Sequence, residues 1–337
     1  MAYRIGIIGC GGMASKGHGP ALETYRTIHR DLELAACCDI NSAKAEAFGK
    51  RFGFETFYAN PDRMLDSVKL DAVCLYVTPE HTSILAVDCL SRGLPVLLEK
   101  PPGTTVGECQ NIIDAHDASR LPCVVAFNRR FMPLVVEAQK HIHGCHPLRY
   151  SCTFLRNDRL DEEFHTTAIH GIDTIRFLSG CDYAHLHFDA YDLSQRGAGV
   201  RAYRMTGSLT DGSMVDLYFN QVAGVSRERI EVFAPDRSFS IDLPVGGSPY
   251  YPGKFVEHSG GGITREVDGA DLVHTVERPE VEGFLGETTH FLDTVRQRPS
   301  GGTPSPTPAE SLQSLEVSIA LNRGVSESTF SPASRHA

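Results

Sequence analysis

Three short stretches carry residue types and spacings that could do chemistry. The first, GCGGMA from Gly9 to Ala14, follows an apolar run and matches G-x-G-x-x-A. In such a turn Gly9 allows the tight reversal, Gly11 lets the backbone approach a pyrophosphate, and Ala14 permits close packing of a helix on a strand. Gly9, Gly11, Gly12 and Met13 are therefore candidate cofactor-binding residues, although a glycine-rich turn can also serve the fold alone. The second is Asp39, which ends the next apolar run 25 residues after Ala14. A carboxylate there accepts hydrogen bonds from an adenosine ribose and repels a 2′-phosphate. No Arg follows at Ile40 or Asn41, so NAD is favoured over NADP, with a plain turn residue as the other reading.

The third stretch is VLLEKPP, Val96 to Pro102, a buried-looking strand that stops at a carboxylate, an ammonium and two prolines. Ligands of open parallel sheets bind beyond the carboxyl ends of strands, which points Lys100 at a cofactor crevice. A lysine partly desolvated beside a nicotinamide can hydrogen-bond a substrate hydroxyl and stabilise the oxyanion that develops in hydride transfer. The bland alternative is a solvated lysine closing a strand. Because strand side chains alternate, Glu99 and Lys100 face opposite ways and each needs its own partner; both are candidate cofactor-binding residues.

The elements that must position these residues follow from periodicity. From residue 4 to about residue 127, apolar runs (RIGIIG, LELAACCD, DAVCLYV, PVLLEK, CVVAF) alternate with segments of helical period, which predicts βαβ units and a doubly wound parallel sheet. Beyond residue 145 come longer period-two segments, RYSCTFLR, RAYRMTGSLTDGSMVDLYF and RIEVFAPDRSFSIDL, with turns at Asp211-Gly212 and Pro235-Asp236; these predict antiparallel strands. Helical patterns at TTAIHGIDTIRFLSG, 281–296 and 308–323 make the second half α+β. A chain of 337 residues exceeds the usual single core of roughly 250–300 residues. The expected division is a Rossmann domain over 1–125, an α+β substrate-binding and oligomerisation domain over 126–325, and a frayed tail over 326–337.

Thirty-two basic against 42 acidic residues, a net charge of −10, argue against nucleic acid as a partner. The ten cysteines lie between Cys10 and Cys181 without a CxxC pair, so no metal site is expected and reduced thiols in a cytoplasmic protein fit best. No stretch approaches the ~20 apolar residues that span a bilayer, and the opening MAYRIGIIG does not read as a signal peptide.

In order, GCGGMA, Asp39, TPEHTS (Thr78–Ser83), EKPP, FNRRF (Phe127–Phe131) and IHGIDTIRFLSG resemble the oxidoreductases related to glucose-fructose oxidoreductase and myo-inositol dehydrogenase. Glu99-Lys100-Pro101 matches the family's EKP signature, in which the Lys-Pro bond is often cis. The resemblance implies a second domain built on a large, mostly antiparallel sheet, and a homodimer or homotetramer. It further implies that Thr78 and Pro79 lie in a loop under the cofactor with His81 at the helix start or at the ligand. Asn128 would lie near the nicotinamide ribose, while Arg129 and Arg130 would tie the domains together. His170 matches the family's proton-transferring histidine, and the aspartate usual four residues earlier is replaced here by Thr166. A hydroxyl can donate a hydrogen bond there but supplies no negative charge.

Two more candidates come from position alone. Asp173, one turn after His170, could orient the imidazole, contact substrate or bond a neighbouring loop. Arg156 and Asn157, at a strand end before the helix, could meet a substrate's phosphate, carboxylate or hydroxyls, or be a solvated pair. Together these residues predict an NAD-dependent dehydrogenase or ketoreductase acting on a secondary alcohol of a sugar, inositol or sugar derivative. Lys100 would polarise the oxygen and His170 would act as general acid/base. The alternatives are a lyase or glycosidase using tightly bound NAD transiently, and a non-catalytic NAD-binding regulator.

Overall fold

The computed structural model describes residues 2–160, 163–298, 306–324 and 326–330. The apolar runs of the first half form six strands, β1 Tyr3–Ile8, β2 Leu32–Cys38, β3 Thr56–Tyr58, β4 Ala72–Leu75, β5 Val96–Glu99 and β6 Cys123–Ala126. They pair in parallel in the order β3-β2-β1-β4-β5-β6. Ile5, Ile7, Val73, Leu75, Leu97 and Val125 are all fully buried, as expected of a parallel sheet covered on both faces. The reversal of order falls between β1 and β4, so the glycine turn after β1 opens at the switch point of the sheet.

Helix starts follow local chemistry. The Asn41 side chain accepts from the Ala43 and Lys44 N–H groups to begin Ser42–Phe52, and Thr105 with Glu108 forms a reciprocal capping box ahead of Val106–Ser119.

The chain separates into two compact units, one made of Met1–Asn128 with Phe284–Leu312, the other of Arg129–Gly283 with Gln313–Ala337. The first unit thus takes the chain up to Asn128 and takes it back at Phe284. The helix Phe284–Val295 joins the first unit because Phe291 and Leu292 enter the core containing Ile5, Leu22 and Leu97. Tyr25 also donates to Asp293 across 2.8 Å, and Arg296 pairs with Asp31.

The second unit carries a nine-stranded sheet of β7 Arg149–Leu155, β8 Tyr183–Asp192, β9 Arg201–Leu209, β10 Met214–Asn220, β11 Arg227–Ala234, β12 Arg237–Asp242, β13 Lys254–Ser259, β14 Gly262–Asp268 and β15 Glu327–Thr329. Its order is β14-β13-β12-β11-β7-β10-β9-β8-β15. All neighbours are antiparallel except β7 and β10. The Asp211-Gly212 and Pro235-Asp236 turns join β9 to β10 and β11 to β12. The tail is not wholly frayed: β15 pairs with β8, while the rest of the expected tail, residues 331–337, lies outside the described residues. Helix His165–Ser179 packs on the sheet at Gly171, where an added Cβ would come within 3.1 Å of Phe219 and 3.2 Å of Phe154. No helix among the described residues is long and apolar enough to cross a membrane.

Candidate active-site residues in each unit

In the first unit the glycine turn has one conformationally fixed position. Gly9 adopts φ 99° and an added Cβ would fall 2.2 Å from the carbonyl oxygen of Tyr76, so both backbone geometry and space demand glycine. Its N–H donates to the Cys38 carbonyl at 2.8 Å. At Gly11 and Gly12 an added Cβ would meet nothing within 4 Å, and Met13 is exposed. The turn therefore presents open backbone where a pyrophosphate needs it, and these residues fit a dinucleotide. Asp39 closes the turn: Oδ2 accepts from the Cys10 N–H at 2.9 Å and Oδ1 from the Asn41 N–H at 2.9 Å. The turn role and the ribose role are thus compatible in one half-exposed carboxylate. Past the first helical residues the chain forms a π-helical turn, Ala14–His18, before Gly19–Ile28; sequence pattern gave no sign of it.

Thr78 precedes the helix Pro79–Ser91, with Pro79 at its first turn. The Thr78 carbonyl accepts from the His81 N–H at 3.0 Å and the Thr82 hydroxyl at 3.3 Å. His81 itself is exposed. Asn128 is buried at the start of the 3-10 turn Asn128–Phe131.

At the end of β5 Glu99 and Lys100 differ in setting. Lys100 is half-buried and its bond to Pro101 is cis. Glu99 turns into the protein: Oε1 lies 2.8 Å from His18 Nε2 and Oε2 accepts the Lys100 N–H at 3.1 Å. Burial pushes the Glu99 carboxyl up, but the His18 hydrogen bond and the charges of His18 and Lys100 outweigh it and hold it below the usual range. A buried anchor is a different setting from the cofactor contact expected of Glu99. His18 was not singled out in the sequence, because its partner lies 81 residues away.

In the second unit His170 lies near the middle of helix His165–Ser179 and is 7% exposed. The Thr166 hydroxyl donates to the Glu163 carbonyl at 2.8 Å, a local helix-start bond in place of a carboxylate's charge.

Arg130 grips both oxygens of Asp173, at 2.8 Å and 2.7 Å, and Ser314 donates to Oδ1 at 3.1 Å. With Asp173 only 1% exposed, its carboxylate is held as a buried counter-ion, which fits the bond to a neighbouring element among the readings its helical spacing left open. Arg156 is also buried. It pairs with Glu228, donates to the Leu155 carbonyl at 2.8 Å, and stacks 4.2 Å from the Phe154 ring centre. Arg129 holds the same Glu228 at 2.8 Å and 2.6 Å. Burial pushes the Glu228 carboxyl up, yet the two guanidinium groups outweigh this and keep it below the usual range. Asn157 is exposed in the bend that follows. Glu228 and Asp173, like Arg129 and Arg130, belong to the second unit. Glu228 itself had no signal in a period-two strand. Among the described residues no group of His, Cys, Asp and Glu is arranged to hold a metal ion.

The Arg130–Asp173 pair yields a stability prediction. Asp173→Ala leaves a buried guanidinium without its counter-ion and should cost about 3–5 kcal/mol, read as a lowered midpoint in urea unfolding. A loss under about 1 kcal/mol with a raised substrate KM would restore Asp173 to substrate binding.

Residues 3–127 match the model of an oxidoreductase family with an NAD-binding Rossmann fold. Inositol 2-dehydrogenase of Paracoccus denitrificans is 30% identical over 199 residues, 54% of this chain and 56% of that protein. D-glucoside 3-dehydrogenase of Escherichia coli K12 is 34% identical over 135 residues, 38% of this chain and 35% of that protein. The aligned regions thus span about half or less of these relatives' lengths. An oxidoreductase of Agrobacterium radiobacter, solved with NAD+, L-tartaric acid and magnesium, superposes with a TM-score of 0.78 over 98% of each chain at 16% identity. That likeness shows that the two-unit fold is shared.

Proposed function

We propose, from the premise that residues 3–127 belong to the oxidoreductase family with the NAD-binding Rossmann fold, that this protein is an NAD-dependent dehydrogenase or ketoreductase. Its substrate class is a secondary alcohol or ketone of a sugar, inositol or sugar derivative. The observation that carries the reading is the first unit's arrangement of an open glycine turn stapled by Asp39 with Lys100 at the carboxyl end of β5. The names of the relatives support the substrate class.

Gly9, Gly11, Gly12 and Met13 would hold the pyrophosphate and Asp39 the adenosine ribose, with Thr78, Pro79 and Asn128 along the nicotinamide side. When bound, the nicotinamide supplies a carbon that takes or returns a hydride. Lys100 donates a hydrogen bond to the substrate oxygen and stabilises the negative charge that grows there. His170 takes the hydroxyl proton in oxidation and returns it in reduction. Thr166 supports the first turn of His170's helix, so the imidazole works without the family's usual carboxylate. Assembly as a homodimer or homotetramer, which rests on the family resemblance, and a cytoplasmic setting, which rests on the ten cysteines without a CxxC pair, belong to the same proposal.

The reading is tested by following reduced nicotinamide when the protein meets NAD or NADP and a panel of inositols, sugars, uronates and sugar phosphates. A substrate-dependent rise with NAD supports it. Bound NAD with no net reduction on any member would overturn it in favour of transient redox or regulation.

Cofactor choice gives a separate prediction. Asp39→Ala should weaken NAD about tenfold or more, since a charged hydrogen bond contributes about 1.5–3 kcal/mol, and should narrow the preference over NADP. Asp39→Asn, which keeps an acceptor for the Cys10 N–H but removes the charge, should narrow the preference with a smaller loss of NAD affinity. Titration of each variant with both cofactors decides; an unchanged ratio would make Asp39 a turn residue only.

A further inference from the structure

We propose that His18 is a positioning residue for Lys100 and acts through Glu99, an inference that rests on the role given to Lys100 above. Every contact involved lies within the first unit. His18 closes the π-helical turn Ala14–His18 and is fully buried. Tyr76 stacks on its ring at 3.9 Å between centres, nearly parallel at 12°, and Phe284 meets it edge-on at 5.1 Å. An aromatic sandwich of this kind would suit an apolar side chain, yet two carboxylates enter it. Glu99 approaches from β5, with Oε1 2.8 Å from Nε2. Glu287 approaches from the helix Phe284–Val295, with Oε1 3.8 Å from Nδ1 and no exposed surface.

A carboxylate in so dry a place keeps its charge only beside a donor or a cation. His18 serves Glu99 in that way, and the depressed carboxyl of Glu99 fits the arrangement. The other oxygen of Glu99 accepts the Lys100 N–H at 3.1 Å. A connected path therefore runs from the imidazole through the ionised carboxylate to the backbone of the lysine that meets substrate. Hydrogen bonds to an ionised acceptor are roughly twice as strong as neutral ones. Loss of His18 favours the protonated, weaker acceptor and frees the Lys100 backbone to shift.

The test uses the full-length protein and the variants His18→Gln, Glu99→Gln and His18→Gln/Glu99→Gln, each checked for folding by thermal unfolding. His18→Gln is expected to lower kcat about 10- to 100-fold, the order that small misplacement of a reacting group brings, with NAD affinity within about threefold. In the Glu99→Gln background the same change should cost under about twofold, because the path is already cut. Losses that multiply, or an unchanged kcat, would overturn the proposal.

A second readout needs no turnover. In protein labelled with 15N-lysine, the Lys100 amide, assigned through Lys100→Arg, should move upfield in both single variants. If it does not move, positioning through Glu99 is overturned, including where His18→Gln fails to fold and Glu99→Gln alone is read. If it moves while wild type reduces no nicotinamide with any substrate, the positioning stands and the dehydrogenase reading falls.

Discussion

Lys100→Met lowers the rate of hydride transfer by about 10² to 10³-fold, the range seen when one donor to a developing oxyanion is removed, while NAD affinity stays within about threefold. Methionine keeps most of the length of the lysine stem and loses only the ammonium. Its backbone keeps the N–H that Glu99 accepts at 3.1 Å, so β5 and the bond to Pro101 are left undisturbed. The two kinetic constants separate the possibilities: a role at the reacting oxygen lowers kcat, whereas a role in holding cofactor raises the KM for NAD. Unchanged turnover would remove Lys100 from the chemistry, and a loss of NAD affinity alone would make it a cofactor ligand.

The second large effect is expected at His170. His170→Ala should lower kcat by about 10² to 10⁴-fold, the usual contribution of a positioned general acid or base, and added imidazole should restore part of it. The helix around it is well tied down. Thr174 donates to the His170 carbonyl at 2.6 Å, and Gly171 seats the helix on Phe154 and Phe219. Removal of the imidazole therefore acts on its chemistry more than on the fold. An undiminished kcat, or a loss that follows stability and resists imidazole, would make His170 a core histidine.

What could be read in the sequence was what local chemistry decides. The strands β1, β2, β4, β5 and β6 are buried on both faces and so appear as unbroken apolar runs. β3 is three largely exposed residues and gave no such run. β13 and β14 mix charge with apolar residues near the sheet edge, and β15 lies in a serine-rich end. The return of Phe284–Val295 to the first unit depends on Phe291, Leu292 and Asp293 finding partners far earlier in the chain, which no window of periodicity contains.

The candidate residues divide in the same way. Gly9 and Asp39 announce themselves because a turn and a strand end are local. His18 finds Glu99 81 residues away, and Arg130 finds Asp173 43 residues away. Those distant partners give Glu99 a buried imidazole and Asp173 a buried guanidinium, settings that no local pattern announces.

The most direct measurement is the fate of the hydrogen. The protein is turned over with NAD and a substrate deuterated at its carbinol carbons, and the released nicotinamide is weighed by mass spectrometry. One deuterium in each reduced nicotinamide, matched by one ketone formed and absent with Lys100→Met, is the expected result. Substrate converted while the nicotinamide stays oxidised and unlabelled would contradict net hydride transfer.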